Sequence, residues 1–164
     1  MVSIIAALAE NGAIGNRGEL IYRIPADLKR FKMLTTGNTV VMGRKTFQSL
    51  PKGALPNRRN IVLTRNPEIT FEGAECYGSF QEALENCDRD EKIYIIGGAE
   101  IYRQTLPFAD ELEITFIHDT PHEADTFFPA INYEEWEKTD EKPHTALTSD
   151  ELSYTFTTFR RKVQ

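Results

Sequence analysis

Two periodicities alternate along this chain. Short apolar, β-branched runs, namely Val2–Leu8, Thr39–Met42, Asn60–Leu63, Lys92–Ile96 and Glu111–Ile117, read as strands, and the middle ones are nearly continuous in Val, Ile, Leu, Met and Tyr, as strands covered on both faces tend to be. Leu152–Arg160 does alternate, through Leu152-Ser153-Tyr154-Thr155-Phe156-Thr157, and predicts a half-covered antiparallel closing strand. Between the runs lie helical patterns. Over Pro25–Thr35 the proline suits a first turn, Asp27 complements the helix dipole, and Leu28, Phe31, Leu34 and Thr35 share a face that ends near Gly37. Arg44–Leu50 is a second, halted before Pro51. Ser79 caps a third, with Glu82 three positions on as in a capping box, and Ala99–Leu106 is a fourth, stopped by Pro107. This order predicts one α/β domain over residues 1–164: a twisted, mostly parallel central sheet of about eight strands, its C-terminal strand antiparallel, flanked by four helices.

Composition narrows the partners. Of 164 residues, 40% are hydrophobic and 27% charged, which fits a globular fold with its own core. The 25 acids against 19 bases give a net charge of −6, against nucleic acid or an anionic membrane as the partner. An anionic small molecule stays open, because a pocket needs only a local basic cluster. The apolar opening lacks a basic leader and stops at Glu10, no run is long enough to cross a bilayer, and Cys76 and Cys87 read as reduced thiols, so a cytoplasmic location is expected. His118 and His122 have ligand-like spacing, but Pro121 breaks any helix there, and no metal site is expected.

Two strand-to-helix turns are built for a ligand. Val41-Met42-Gly43-Arg44-Lys45-Thr46 and Ile95-Ile96-Gly97-Gly98-Ala99 each place glycine where a helix begins, allowing close backbone approach beside unpaired N–H groups. Either is also what a tight turn requires; together they suit the two ends of a pyrophosphate-bearing nucleotide. Arg58 and Arg65 fall at opposite ends of one short strand, so they imply two separate anions or two solvated side chains. Asp27, beside Leu28 and one turn before Phe31, is a solvated first-turn acid or a partly desolvated carboxylate able to accept two parallel N–H bonds from an amidine-like ring edge.

Taken in order, Ile4-Ile5-Ala6-Ala7-Leu8, Ala13-Ile14-Gly15, Ile24-Pro25-Ala26-Asp27-Leu28, Val41-Met42-Gly43-Arg44-Lys45-Thr46, Leu55-Pro56-Asn57-Arg58, Ile95-Ile96-Gly97-Gly98-Ala99-Glu100-Ile101-Tyr102 and Asp125-Thr126-Phe127-Phe128-Pro129 make the chain resemble dihydrofolate reductase nearly end to end. The resemblance implies NADPH-dependent reduction of dihydrofolate to tetrahydrofolate by a monomer, with the adenosine-binding part at roughly residues 38–105. It implies that Asp27 binds the pterin edge and supports protonation of the reducible imine, with Thr115 holding Asp27 and Tyr22 and Tyr102 completing the catalytic set. Ile5, Leu28, Phe31, Leu50 and Leu55 would wall the substrate rings, and Arg58 would grip its glutamate α-carboxylate. Ala7, Ile14, Gly15 and Tyr102 would surround the nicotinamide, and Gly97-Gly98, joined by a cis peptide in this family, would approach the cofactor. Gly43, Arg44, Lys45, Thr46 and Arg65 would receive its phosphates, while Leu63, Thr64, Ile96, Ala99, Glu100, Ile101 and Thr126 would complete its contacts. Residues 9–23 match the family's closing loop, although Ile21-Tyr22 replaces the usual Pro-Trp and Asn57 replaces a common glycine. Neighbouring readings are a pyrimidine reductase, against which the set of Asp27, Phe31 and Arg58 fits folate better; a catalytically silent nucleotide-binding module, which the Tyr22 departure keeps open; and a phosphate-binding transferase, which leaves Asp27 next to Phe31 unexplained.

Overall fold

The computed structural model describes residues 1–66 and 68–163. The expected apolar runs form strands β1 (Val2–Leu8), β4 (Thr39–Gly43), β5 (Arg59–Leu63), β7 (Ile93–Gly97), β8 (Glu111–Ile117) and β11 (Tyr154–Arg161), and the helices are α1 (Pro25–Thr35), α2 (Arg44–Ser49), α3 (Phe80–Glu85) and α4 (Ala99–Thr105). Two further strands, β6 (Ala74–Tyr77) and β10 (Trp136–His144), complete an eight-stranded sheet in the order β10-β11-β8-β1-β7-β4-β5-β6. The six strands from β8 to β6 run parallel, while β11 is antiparallel to both β8 and β10. Helices carry four of the parallel connections, β1 to β4, β4 to β5, β6 to β7 and β7 to β8, whereas β5 reaches β6 with no helix among the described residues.

The side-chain period of two divides the core. Ile4, Val41, Ile61 and Ile95 point to one face and pack with Phe80 and Ala83 of α3 and Ile101 and Tyr102 of α4. Ile5, Val40, Met42 and Val62 point to the other, where Phe47 of α2 and the partly buried Phe31 and Leu34 of α1 cover them. Each fully buried aliphatic side chain contributes about 1.5–3 kcal/mol from removal of apolar surface from water. On the α1 face the cover is incomplete: Leu28 keeps 49% of its surface exposed, although it lies on the helix's apolar stripe. The uncovered stretch of that stripe is where a ligand can lie.

Local chemistry sets the remaining boundaries. The Ser79 side chain accepts from Glu82 N, and the Glu82 carboxylate in turn accepts from Gly78 N at 3.2 Å, so the expected capping box closes one residue earlier than its usual partner. Strand β10 begins at Trp136, the chain's single tryptophan, which is buried beneath the Arg161 guanidinium at 4.3 Å; the rest of β10 is exposed. A small second sheet joins β2 (Ala13–Asn16), β3 (Glu19–Leu20) and β9 (Thr126–Phe127).

Candidate active site

The amino end of α1 faces β8. Asp27 is half-buried, and Thr115 of β8 donates to its Oδ1 at 2.5 Å. Burial raises the Asp27 pKa above the ordinary carboxylate value; the Thr115 bond and then the Arg30 charge pull it partly back. Thr115 is the register partner of Ala7, and Ile5, two residues earlier on β1, offers its carbonyl to the buried Tyr102 hydroxyl at 2.8 Å. Burial, and then the charge of Asp27, push the Tyr102 phenol well above its normal range, so it stays a neutral donor. Ile5, Phe31, Leu50, Leu55 and Ile96 belong to one apolar cluster beside this carboxylate. The structure thus brings the substrate-side residues expected from sequence to one wall, with Leu28 at its rim.

Arg58 lies at the other end of α1. Its Nη1 donates to Thr35 Oγ1 at 3.0 Å and its Nε to the Pro56 carbonyl at 2.9 Å, which fixes the plane of the guanidinium. Asn57, where the family often has glycine, takes a left-handed φ of 59°, a conformation Asn tolerates better than most residues. Eight residues separate Asp27 from Thr35, about 12 Å along a helix. One face therefore offers a carboxylate, an apolar strip and a guanidinium in sequence.

The two glycine turns meet at the carboxyl ends of neighbouring strands. Gly43 caps α2 and Gly98 caps α4, neither with a side-chain bond, so backbone N–H groups remain free where both helices begin. A Cβ at Gly43 would come within 3.1 Å of Ile101 Cγ1, which explains why this position has no side chain. Gly97 has φ 132°, a region closed to other residues, and the Gly97–Gly98 peptide is cis. Thr46 Oγ1 lies over both glycines. Gly43 is also the register partner of Leu63, so Arg44 and Lys45 leave the sheet beside Thr64 and Arg65. Ala99 and Glu100 open α4 beside Ile101 and Tyr102. These residues make a cradle of exposed N–H groups and cationic side chains that suits a dinucleotide's phosphates. Arg58 and Arg65 do fall at opposite ends of β5, too far apart for one anion.

Residues 9–23 contain a hairpin rather than an irregular loop. Arg17 and Gly18 both take positive φ, 51° and 80°, which suits a two-residue turn between β2 and β3. Gly15 pairs with Leu20 and Thr126, and Asp125 accepts from Arg17 N at 2.9 Å. Ile14 packs on the core from this hairpin. The Tyr22 hydroxyl donates to Asp119 Oδ2 at 2.7 Å, so its proton is directed at Asp119 and its lone pairs remain for a water.

Sequence reasoning gave no site role to Arg30, Glu113, Asp119 or Asp125. A signal for one of them existed: Glu111, Glu113 and Thr115 are polar at every second position of a strand that is otherwise apolar. A cavity of about 500 Å³, lined by residues including Asn57, Arg58, Arg59, Asp88 and Glu91, opens at the amino ends of β4, β5 and β7. It lies at the end of the strands opposite the glycine turns, where Arg59 is held by Glu75 at 2.6 Å and Glu91 at 3.0 Å.

A family model described as Dihydrofolate reductase matches residues 1–161. The dihydrofolate reductase of Neisseria gonorrhoeae is 43% identical over 155 residues, covering 94% of each chain, and the type 3 dihydrofolate reductase of Salmonella typhimurium is 40% identical over 162 residues, covering 99% of each. Among solved structures, dihydrofolate reductase from Enterococcus faecalis complexed with NADP(H) and RAB-propyl superposes with a TM-score of 0.89 at 38% identity, covering 99% of this chain and 97% of that one. With the half-buried Asp27 and the paired glycine turns already in place, this chain belongs to the dihydrofolate reductase family.

Proposed function

We propose that this chain, acting as one domain, reduces 7,8-dihydrofolate to 5,6,7,8-tetrahydrofolate with NADPH, and that Asp27 supports the protonation. The observation that carries the reading is the line along α1: a carboxylate whose burial favours its neutral form, then an apolar strip, then an oriented guanidinium. It fits a flat nitrogen-rich ring, an aromatic spacer and an α-carboxylate.

Asp27 accepts the N–H groups of the pterin edge, and Thr115 keeps its carboxyl in the required plane. Ile5, Phe31, Leu50 and Leu55 exclude water from the ring, which strengthens those bonds and favours a cationic imine beside the Asp27 charge. Arg58 holds the tail carboxylate bidentately, converting tail binding into ring placement. NADPH supplies the hydride when bound. For it, the assigned residues are Gly43, Arg44, Lys45, Thr46, Thr64 and Arg65 at the phosphates and Ala7, Ile14, Gly15, Gly97, Gly98, Tyr102 and Thr126 around the nicotinamide, with Leu63, Ile96, Ala99, Glu100 and Ile101 lining the cradle between. Tyr22 contributes an acceptor oxygen for a water, since its proton is used on Asp119.

The direct test follows NADPH absorbance with dihydrofolate for the native chain and Asp27→Asn. Turnover is expected from the first. A loss of about 10²–10³-fold is expected from the second, smallest at acidic pH where solution supplies the proton. Equal rates across pH would refute the role of Asp27; absence of NADPH oxidation by the native chain would refute the reaction.

A further inference from the structure

Beneath Asp27, α1 and β8 are joined by a second polar rung. Arg30 is three residues after Asp27, and Glu113 two before Thr115, so on a helix and a strand each pair projects from one face. Arg30 Nη2 lies 2.5 Å from Glu113 Oε2, and only 17% and 9% of the two side chains is exposed. Two neighbours on β11 fix the pair: Thr158 Oγ1 donates to Glu113 Oε2 at 2.9 Å, and the Arg30 guanidinium lies over the Phe156 ring at 4.7 Å from its centroid. We infer that Glu113 is a positioning residue for dihydrofolate reduction, holding the Arg30 guanidinium against β8 so that it does not close on Asp27.

A largely desolvated guanidinium takes a carboxylate partner or leaves its site, because burying it alone costs several kcal/mol. On this face two carboxylates are near enough to matter: Glu113, which it contacts, and Asp27, whose protonation it already opposes. Without Glu113, Arg30 turns to Asp27. It would then occupy oxygens assigned to the pterin and neutralise the charge that favours a cationic imine. The other groups facing this place do not substitute. Glu111, next along β8, is engaged by Lys92 at 3.0 Å, Arg160 at 3.1 Å and Ser3 at 3.0 Å. Tyr94 of β7 is pushed up to about 12 by burial and then by Glu111 and Glu113, and Tyr102 of α4 stays protonated, so neither phenol changes charge in the working range. Thr115 and Thr158 carry no charge.

The inference rests on Asp27 being the group that binds the pterin, so its test has a readout independent of turnover. The Asp27 carboxyl is titrated by ¹³C NMR in the ligand-free chain for native, Glu113→Gln, Arg30→Met and the double variant. Gln keeps the shape of Glu113 and its acceptor oxygen, and Glu113→Gln is expected to move the Asp27 midpoint to lower pH. Arg30→Met is expected to move it upward, and in the Arg30→Met background the Glu113→Gln change is expected to be largely lost. In the rate assay, Glu113→Gln is expected to lower kcat about tenfold on the alkaline side, to raise KM for dihydrofolate, and to leave the acid-side rate nearly native. An unmoved Asp27 midpoint in Glu113→Gln overturns the inference, as does an equal movement with and without Arg30. Should Glu113→Gln fail to fold, Arg30→Met alone decides by the direction of its midpoint, an unmoved or lowered one refuting the proposal. A native rate profile in Glu113→Gln despite the expected midpoints would fault the role of Asp27 and not the holding of Arg30 by Glu113.

Discussion

Asp27 holds a position that favours chemistry over stability. Desolvation disfavours its charge, one hydroxyl and one nearby cation restore part of the loss, and the balance leaves its pKa high. Thr115→Val keeps the shape of the side chain but removes the bond to Oδ1, so the Asp27 pKa is expected to rise further. The pH–rate profile should move to higher pH, and affinity for dihydrofolate should fall about 3–10-fold through loss of orientation. A profile that stays in place would show that the bond does not tune the carboxylate. Arg58 is a different case, because its partners are uncharged and its proposed role lies at the far end of the substrate. Arg58→Leu is expected to raise KM for dihydrofolate about 10–100-fold while changing kcat little, the value of one bidentate charge-assisted contact.

At the scale of elements, legibility followed hydrophobic pattern. Strand β1 and helix α1 begin and end where their residues predict, because burial on both faces and a proline–glycine frame leave little choice. Strand β10 was not legible: after Trp136 it is charged and exposed, and it exists because β11 offers it an edge. Strands β2, β3 and β9 are too short to show a period, and the turn through Arg17 and Gly18 carries an arginine in a left-handed conformation that residue type does not announce. Asp27, Arg58 and the two glycine turns were readable as candidates from residue type and order. Their convergence required the register that aligns Gly43 with Leu63, and Arg30 and Glu113 required the pairing of α1 with β8. Gly43→Ala tests the close approach of the two turns. The added methyl meets Ile101, and the cradle must shift by tenths of an ångström, so NADPH is expected to bind about tenfold more weakly with KM for dihydrofolate nearly unchanged. Equal weakening of both ligands would place the strain elsewhere.

For the whole molecule, two carboxylates give stability opposite dependences on pH. Asp27 has a raised folded-state pKa, so its contribution is full below the ordinary carboxylate range and is lost as pH rises through the folded value. Asp27→Asn should therefore have a higher Tm than the native chain at pH 7–8, by roughly 2–4 °C for each kcal/mol recovered, with the difference disappearing toward pH 3. Glu75 is lowered, first by its hydrogen bond from Arg59, so its contribution is present above the ordinary range and is lost on acidification through the folded value. Thermal denaturation of both chains across pH 3–8 checks the sign, and a native chain equal to Asp27→Asn throughout would remove the claim.

The lone indole also has a practical consequence. Trp136 anchors the outermost strand under Arg161, on the side of the sheet away from the glycine turns, so its emission is a local gauge of whether that margin is closed. Fraying of β10 is expected to change that signal before NADPH oxidation is lost. A reduced nicotinamide in the groove is expected to reach the indole by energy transfer. Unfolding followed by tryptophan light and unfolding followed by loss of NADPH oxidation thus time two different events in one chain.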